Sequence, residues 1–161
     1  MLQGLYHELT LGLHGGEQVP RIVIRLVVAM LLGGLVGIQR ERSHKPAGLR
    51  THMLACLGTA LFVISCGAVG MSFDAQSRVI QGIVTGLGFI GAGSILKLSQ
   101  EHEIKGLTTA AGVWMTAAIG VTVGLGALGI AIIATILTLV ILAVATRFER
   151  FVQKKRDEQQ F

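Results

Sequence analysis

The chain has 161 residues, 52% of them hydrophobic and only 14% charged, with 22 glycines, a mean hydropathy of +0.67 and a formal net charge of +5. Soluble domains average about 25% charged residues and about 7% Gly, so this composition excludes an ordinary water-soluble surface. The charges sit in clusters separated by long uncharged stretches, so a pI near 9.8 reads as membrane topology and anionic lipid contact, not nucleic-acid binding.

In chain order, Met1 to Gly16 lacks a basic start and a continuous apolar run, so no cleavable signal peptide is expected. Leu2, Leu5, Leu9 and Leu13 share one helical face; a short helix on the outer leaflet and a frayed terminus both fit. Five apolar stretches follow, at 22–38, 53–71, 79–96, 107–123 and 127–146, the first interrupted only by Arg25. Each is long enough to cross a hydrocarbon layer about 30 Å thick at about 1.5 Å per residue. They predict an all-α membrane protein, a five-transmembrane-helix bundle spanning 1–146. A short basic tail, 147–161, is expected to follow, with no soluble carboxyl-terminal domain.

The connectors set the orientation. Arg40, Arg42, Lys45 and Arg50 lie between the first two spans, Lys97 and Lys105 flank the third connector, and Arg147, Arg150, Lys154, Lys155 and Arg156 occupy the tail. Only Arg21, Arg25 and Arg78 fall on the other side. The positive-inside rule then predicts a periplasmic amino terminus and a cytoplasmic carboxyl terminus, in a multi-pass bacterial inner-membrane protein.

Small residues form stripes along three spans. Ala29, Gly33 and Gly37 recur every four residues in the first. Thr109, Gly112, Thr116, Gly120 and Gly124 do so in the fourth. In the third, Gly82, Gly86 and Gly93 share one face, with Gly88 and Gly91 opposite. Helix association in lipid depends on such close approach, so the third helix is expected at the centre of the bundle. Glycines that let it unwind around a solute are the alternative. Gly86, Gly88 and Gly91 also spell G-x-G-x-x-G, but no strand precedes them and no acidic residue lies about 20 positions on, so a nucleotide loop is not expected.

Few residues could carry chemistry. Cys56 and Cys66 are ten residues apart on one helix, about 15 Å by rise and too far for a mutual disulfide; both read as packing residues. His7, His14, His44 and His52 read as solvated histidines of the terminus and the basic loop, and no metal-ligand spacing appears. Asp74 and Arg78 form an i, i+4 pair at the start of the third span, either a helix-end ion pair or a gate with Gln81 and Thr85 deeper along the same helix. The loop from Arg40 through Glu41 and Arg42 to His52 holds four basic residues with Pro46 and Gly48. It reads as a topology anchor at anionic headgroups or as a docking surface. No nucleophile–base pair, catalytic acid pair or cofactor motif is present, so no enzyme is expected.

Three blocks, KPAGLRTHMLACLGTALF (45–62), RVIQGIVTGLGFIGAGSIL (78–96) and KGLTTAAGVWMTAAIGVTVGLG (105–126), resemble the MgtC/SapB family of bacterial inner-membrane proteins in order and spacing. The resemblance implies a five-helix membrane domain, association with survival under magnesium limitation and, in some pathogens, with virulence. It also implies importance for Arg50, Thr51, His52, Asp74, Arg78, Gly86, Gly88, Gly91, Gly93, Thr108 and Thr109. Many members carry a soluble carboxyl-terminal domain, and the family often has an acid where this chain has Gln39. Two functions follow as expectations. One is a regulatory or adaptor protein, able to dimerise through its glycine faces and to bind a membrane-protein partner under magnesium or acid stress. The alternative is a small transporter or channel for Mg²⁺, lined by Asp74, Arg78, Gln81 and the third-helix glycines, against which the lack of a membrane-embedded carboxylate counts.

Overall fold

The computed structural model describes residues 18–98 and 103–158. These residues form five helices, α1 (Gln18–Arg42), α2 (Leu49–Ala68), α3 (Phe73–Gly93), α4 (Leu107–Gly124) and α5 (Leu128–Glu158). A two-stranded antiparallel hairpin, β1 (Leu96–Leu98) and β2 (Glu103–Lys105), joins α3 to α4, with Lys97 paired to Ile104. The expected amino-terminal leucine face and the His7 and His14 assignments lie outside the described residues.

Among the described residues, four helices are long and apolar enough to cross a membrane: α1, α2, α4 and the Leu128–Arg147 part of α5. The helix α3 is comparable in length, but Asp74, Gln76, Arg78 and Gln81 crowd its first turns, and it falls outside that group. The predicted third span is therefore a helix whose start is too polar to qualify by composition. The tail expected after residue 146 continues α5 as helix to Glu158.

The centre of the bundle is α1, α2 and α4. The helix α2 packs most extensively on α1 and then on α4. Ala29 and Val36 of α1, Cys56 and Ala60 of α2, and Ile119 and Val123 of α4 share one core, each at most 1% exposed. Small residues bring these three helices together. A Cβ built at Gly33 would lie 2.7 Å from the Cys56 Cβ, one at Gly37 2.7 Å from the Leu49 Cα, and one at Gly124 2.7 Å from the Val63 Cβ. At Gly120 it would collide with the Thr59 hydroxyl and the Cys56 carbonyl. The stripes expected in the first and fourth spans are thus the packing surfaces of the bundle. Both cysteines are free and buried.

The helix α3 is not central, contrary to expectation. Only Leu87 and Gly91 are buried along it. A Cβ at Gly82, Gly86, Gly88 or Gly93 would meet nothing within 4 Å, and one at Gly91 only the Ala110 Cβ at 3.6 Å. The physical reason is that glycine admits close approach but does not compel it. The larger side chains of α1, α2 and α4 already interlock, and α3 is held mainly by Leu87 against Val113 and Ala117. The bulky helix α5 lies on the perimeter, with Ile133, Leu137, Ile141 and Val144 exposed.

Two turns depend on glycine at positive φ. Gly106 (φ 102°) starts α4 at a point where any Cβ would strike the Ser94 carbonyl, closing the hairpin. Gly126 (φ 87°) turns α4 into α5 against the Arg25 guanidinium. A side chain at either site would meet both backbone strain and a clash.

Candidate functional site

A polar centre forms where α1 ends and where α2 and α4 begin. Gly33, Gly37 and Arg40 fall at i, i+4 and i+7 on α1, so they share one face. The face that packs on α2 and α4 therefore carries a guanidinium inward. Arg40 is 2% exposed, and its Nη2 donates to the Thr109 hydroxyl at 2.7 Å. This charge-assisted bond joins α1 to the first turn of α4.

His52 lies beside it, fully buried in the first turn of α2. Its Nδ1 is 2.9 Å from the Gly48 carbonyl. A carbonyl can only accept, so Nδ1 carries the proton and donates. Nε2 is buried without a hydrogen-bond partner. A Cβ added at Gly112 would sit 3.6 Å from His52 Nε2 and 4.0 Å from Arg40 Nε, so Gly112 brings the α4 backbone up to both side chains. The expectation of a solvated His52 is overturned: Gly48 starts α2 early enough to draw residue 52 under α1 and α4.

Deeper in the bundle the polar groups are threonines. Thr59, 6% exposed, has its hydroxyl 3.0 Å from the Ala117 carbonyl across the α2–α4 contact and 2.9 Å from its own Ala55 carbonyl. The fully buried Thr116 donates back to the Gly112 carbonyl at 2.9 Å. Back-bonding of this kind satisfies a hydroxyl without water, and it leaves the centre closed by protein groups.

The loop between α1 and α2 is ordered by one carboxylate. Gly48 is the N-cap residue of α2 and offers no side chain, but Glu41 Oε2 accepts from the Leu49 amide at 2.8 Å. The negative charge also complements the positive end of the helix dipole. Arg42, Arg50 and Thr51 are exposed around this loop and Lys45 is half-buried, so the basic group divides, with Arg40 in the core and the rest at its surface. Gln39 turns partly inward, its Oε1 buried without a partner.

The remaining predicted residues are not brought to this centre. Asp74 and Arg78 form the expected i, i+4 ion pair on the surface, their side chains 80% and 65% exposed. Ser72, not Asp74, caps α3 by accepting from the Ala75 amide at 3.3 Å. Gln81 and Thr85 are exposed, and the Thr85 hydroxyl donates to the Gln81 carbonyl at 2.9 Å. These four residues lie on the outward side of α3 and share no cavity with Arg40. Thr108 is exposed in an apolar groove of about 750 Å³ between α4 and α5, whereas its neighbour Thr109 is the Arg40 partner.

Sequence reading missed the Arg40–Thr109 contact and the burial of His52. The signal was there. Arg40 continues the Gly33–Gly37 stripe, and His52 precedes Cys56 and Thr59 on the face opposite. It also missed Arg25, whose Nη1 donates to the Gly124 carbonyl at 3.2 Å and pins α1 to the end of α4.

The sequence of this bundle matches the model of the MgtC family over residues 26–151. It is 42% identical over 137 residues to Protein SrpB of Synechococcus elongatus, covering 78% of this chain and 75% of that protein. It is 43% identical over 132 residues to the Putative magnesium transporter YhiD of Escherichia coli K12, covering 76% of this chain and 59% of YhiD. It is 42% identical over 117 residues to Protein MgtC of Salmonella typhimurium, covering 73% of this chain but 49% of that protein. No solved structure matches the chain. Family match, relatives and apolar helices agree on one conclusion, that this multi-pass membrane protein belongs to the MgtC family.

Proposed function

We propose that the protein is a non-enzymatic regulator or adaptor of the inner membrane, acting in adaptation to magnesium limitation or related stress by contact with other membrane proteins. The observation that carries this reading is the chemistry of the buried polar groups. Among the described residues they are Arg40, His52 and the hydroxyls of Thr59, Thr109, Thr116, Thr135 and Thr138, without a carboxylate among them. Mg²⁺ dehydrates reluctantly and is held by one or two carboxylates with retained water. The acids whose side chains are described, Glu41 and Asp74, are exposed and engaged at helix starts. No group of three metal-ligating side chains occurs among the described residues. By contrast α3 and α5 present long apolar faces, suited to contact with a neighbouring membrane helix or a second copy of the chain.

The competing reading is a Mg²⁺ transporter, motivated by the name of the YhiD relative. Reconstitution separates the two. The adaptor reading expects liposomes containing the protein to pass Mg²⁺ no faster than empty ones, and crosslinking in native membranes to trap a partner. Protein-dependent flux that Asp74→Asn lowers would sink it.

A further inference from the structure

At the end of the bundle where α1 begins, a cavity of about 360 Å³ lies between α1, the end of α2, the start of α3 and the end of α4. Arg21 and Arg25 enter it from successive turns of α1, and Gln76 from α3. Of the three basic residues expected at this end, these two line the cavity and the third, Arg78, does not. No acidic side chain lines the cavity among the described residues. Arg25 is half-buried and held in place. Gly124 accepts from its Nη1, and the positive-φ turn at Gly126 packs on the guanidinium. A guanidinium has five N–H donors, of which Gly124 takes one.

The same seam continues as an apolar groove of about 480 Å³ between α2 and α3. Val63 and Gly67 of the cavity extend the row that holds Thr59 of the groove, and Gln76 lies one turn before Val79. Gln76 Nε2 donates to the Val63 carbonyl at 3.4 Å where the two meet. Gly58, Gly82 and Gly86 line the groove, and a Cβ at any of them would meet nothing within 4 Å. From Val79 to Ile90 the groove runs about 16 Å along the helix, close to one leaflet of a hydrocarbon core about 30 Å thick.

We propose that the α2–α3 seam is a binding site for an anionic phospholipid, with the headgroup phosphate at Arg21 and Arg25 and one acyl chain in the glycine-lined groove. Arginine suits a phosphate because its planar donors can bind two oxygens at once. An open, apolar, glycine-lined groove leaves room for an alkyl chain, which accounts for α3 glycines that pack against no helix. The polar cavity and the apolar groove are about one helical turn apart along α2 and α3, in the order an amphiphile requires.

The test is native mass spectrometry of the full chain, purified in detergent and exposed to phosphatidylglycerol or phosphatidylcholine. Phosphatidylglycerol should be retained preferentially. Arg21→Gln should lower its retention about tenfold, the value of a lost charge-assisted contact. Gly86→Leu should do the same by filling the groove, and its Cβ would meet nothing within 4 Å, so it remains informative should R21Q fail to fold. Arg42→Gln, at the opposite end, should change nothing. Equal retention of phosphatidylcholine, or retention unaffected by both R21Q and G86L, overturns the proposal. So does a dimer that G86L converts to monomer without altering bound lipid, which would make the groove a self-association surface. Binding of inorganic phosphate with no lipid retained would equally rule it out.

Discussion

Gly120→Ala and Gly86→Ala make the same chemical change on two apolar helices and should have opposite consequences. At Gly120 the new methyl meets the Thr59 hydroxyl and the Cys56 carbonyl, the latter a backbone atom that no rotamer change can clear. The helices α2 and α4 must separate or tilt, and forcing a methyl into a packed contact costs about 1–3 kcal/mol. Separation also lengthens the Thr59 to Ala117 bond, now 3.0 Å, which adds about 0.6 kcal/mol on the scale measured for interhelical bonds in membranes. The sum is about 2–4 kcal/mol of destabilisation. At Gly86 the methyl meets nothing within 4 Å, and the gain in helix propensity, about 1 kcal/mol in water, is the main term. Unfolding in mixed micelles at increasing dodecyl sulfate, followed by circular dichroism and Trp114 fluorescence, measures both. If G86A proves as destabilising as G120A, α3 is packed as tightly as α4 and the placement of the core is wrong.

Thr109→Val should remove one acceptor of Arg40 and destabilise the protein by about 1.5–3 kcal/mol in the same unfolding assay, the range for a hydrogen bond to a charged group. Glu41→Ala should cost about 1 kcal/mol by uncapping α2, with faster hydrogen exchange at the Leu49 amide, while Glu41→Gln, which can still accept, should recover most of it. Asp74→Asn should shift stability by less than about 1 kcal/mol because the pair is exposed; a larger loss would mean that its surroundings are drier than the structure indicates.

The helices were legible in the sequence because charge is expensive in lipid and its absence over 17–20 residues has few other causes. Their packing was legible only where small residues coincide with complementary neighbours. Gly33 and Gly37 face α2, and the stripe through Gly112 and Gly120 faces the same helix from the other side. Glycine spacing alone could not separate these from Gly82 and Gly86, because an identical pattern serves a contact or an open groove. The partner surface decides, and it comes from elsewhere in the chain. Arg40 was misjudged for a related reason. Counting it with the loop cations hid its helical phase, which turns it inward while Arg42 stays exposed. His52 was assigned to a loop that in fact ends at Gly48.

The division of labour among the helices bears on what the molecule can do. In α1, α2 and α4 glycine contacts bring backbones together, and the threonine hydroxyls are satisfied by carbonyls one turn back or across the contact. A solute crossing there would have to break those bonds and part helices that sit at van der Waals distance, and it would pass an arginine rather than a carboxylate. The perimeter is different. The grooves beside α3 and α5 are open and apolar, and much of their lining, Gly82, Gly86, Ile90, Ile133 and Leu137 included, is exposed. In a bilayer such surfaces do not stay empty, since lipid tails or other helices fill them at little cost. A closed centre with open flanks is poor architecture for conduction and good architecture for recognition in the plane of the membrane, so substitutions that alter activity should concentrate on outward residues such as Gly86, while those at Gly120 or Thr109 should act through stability.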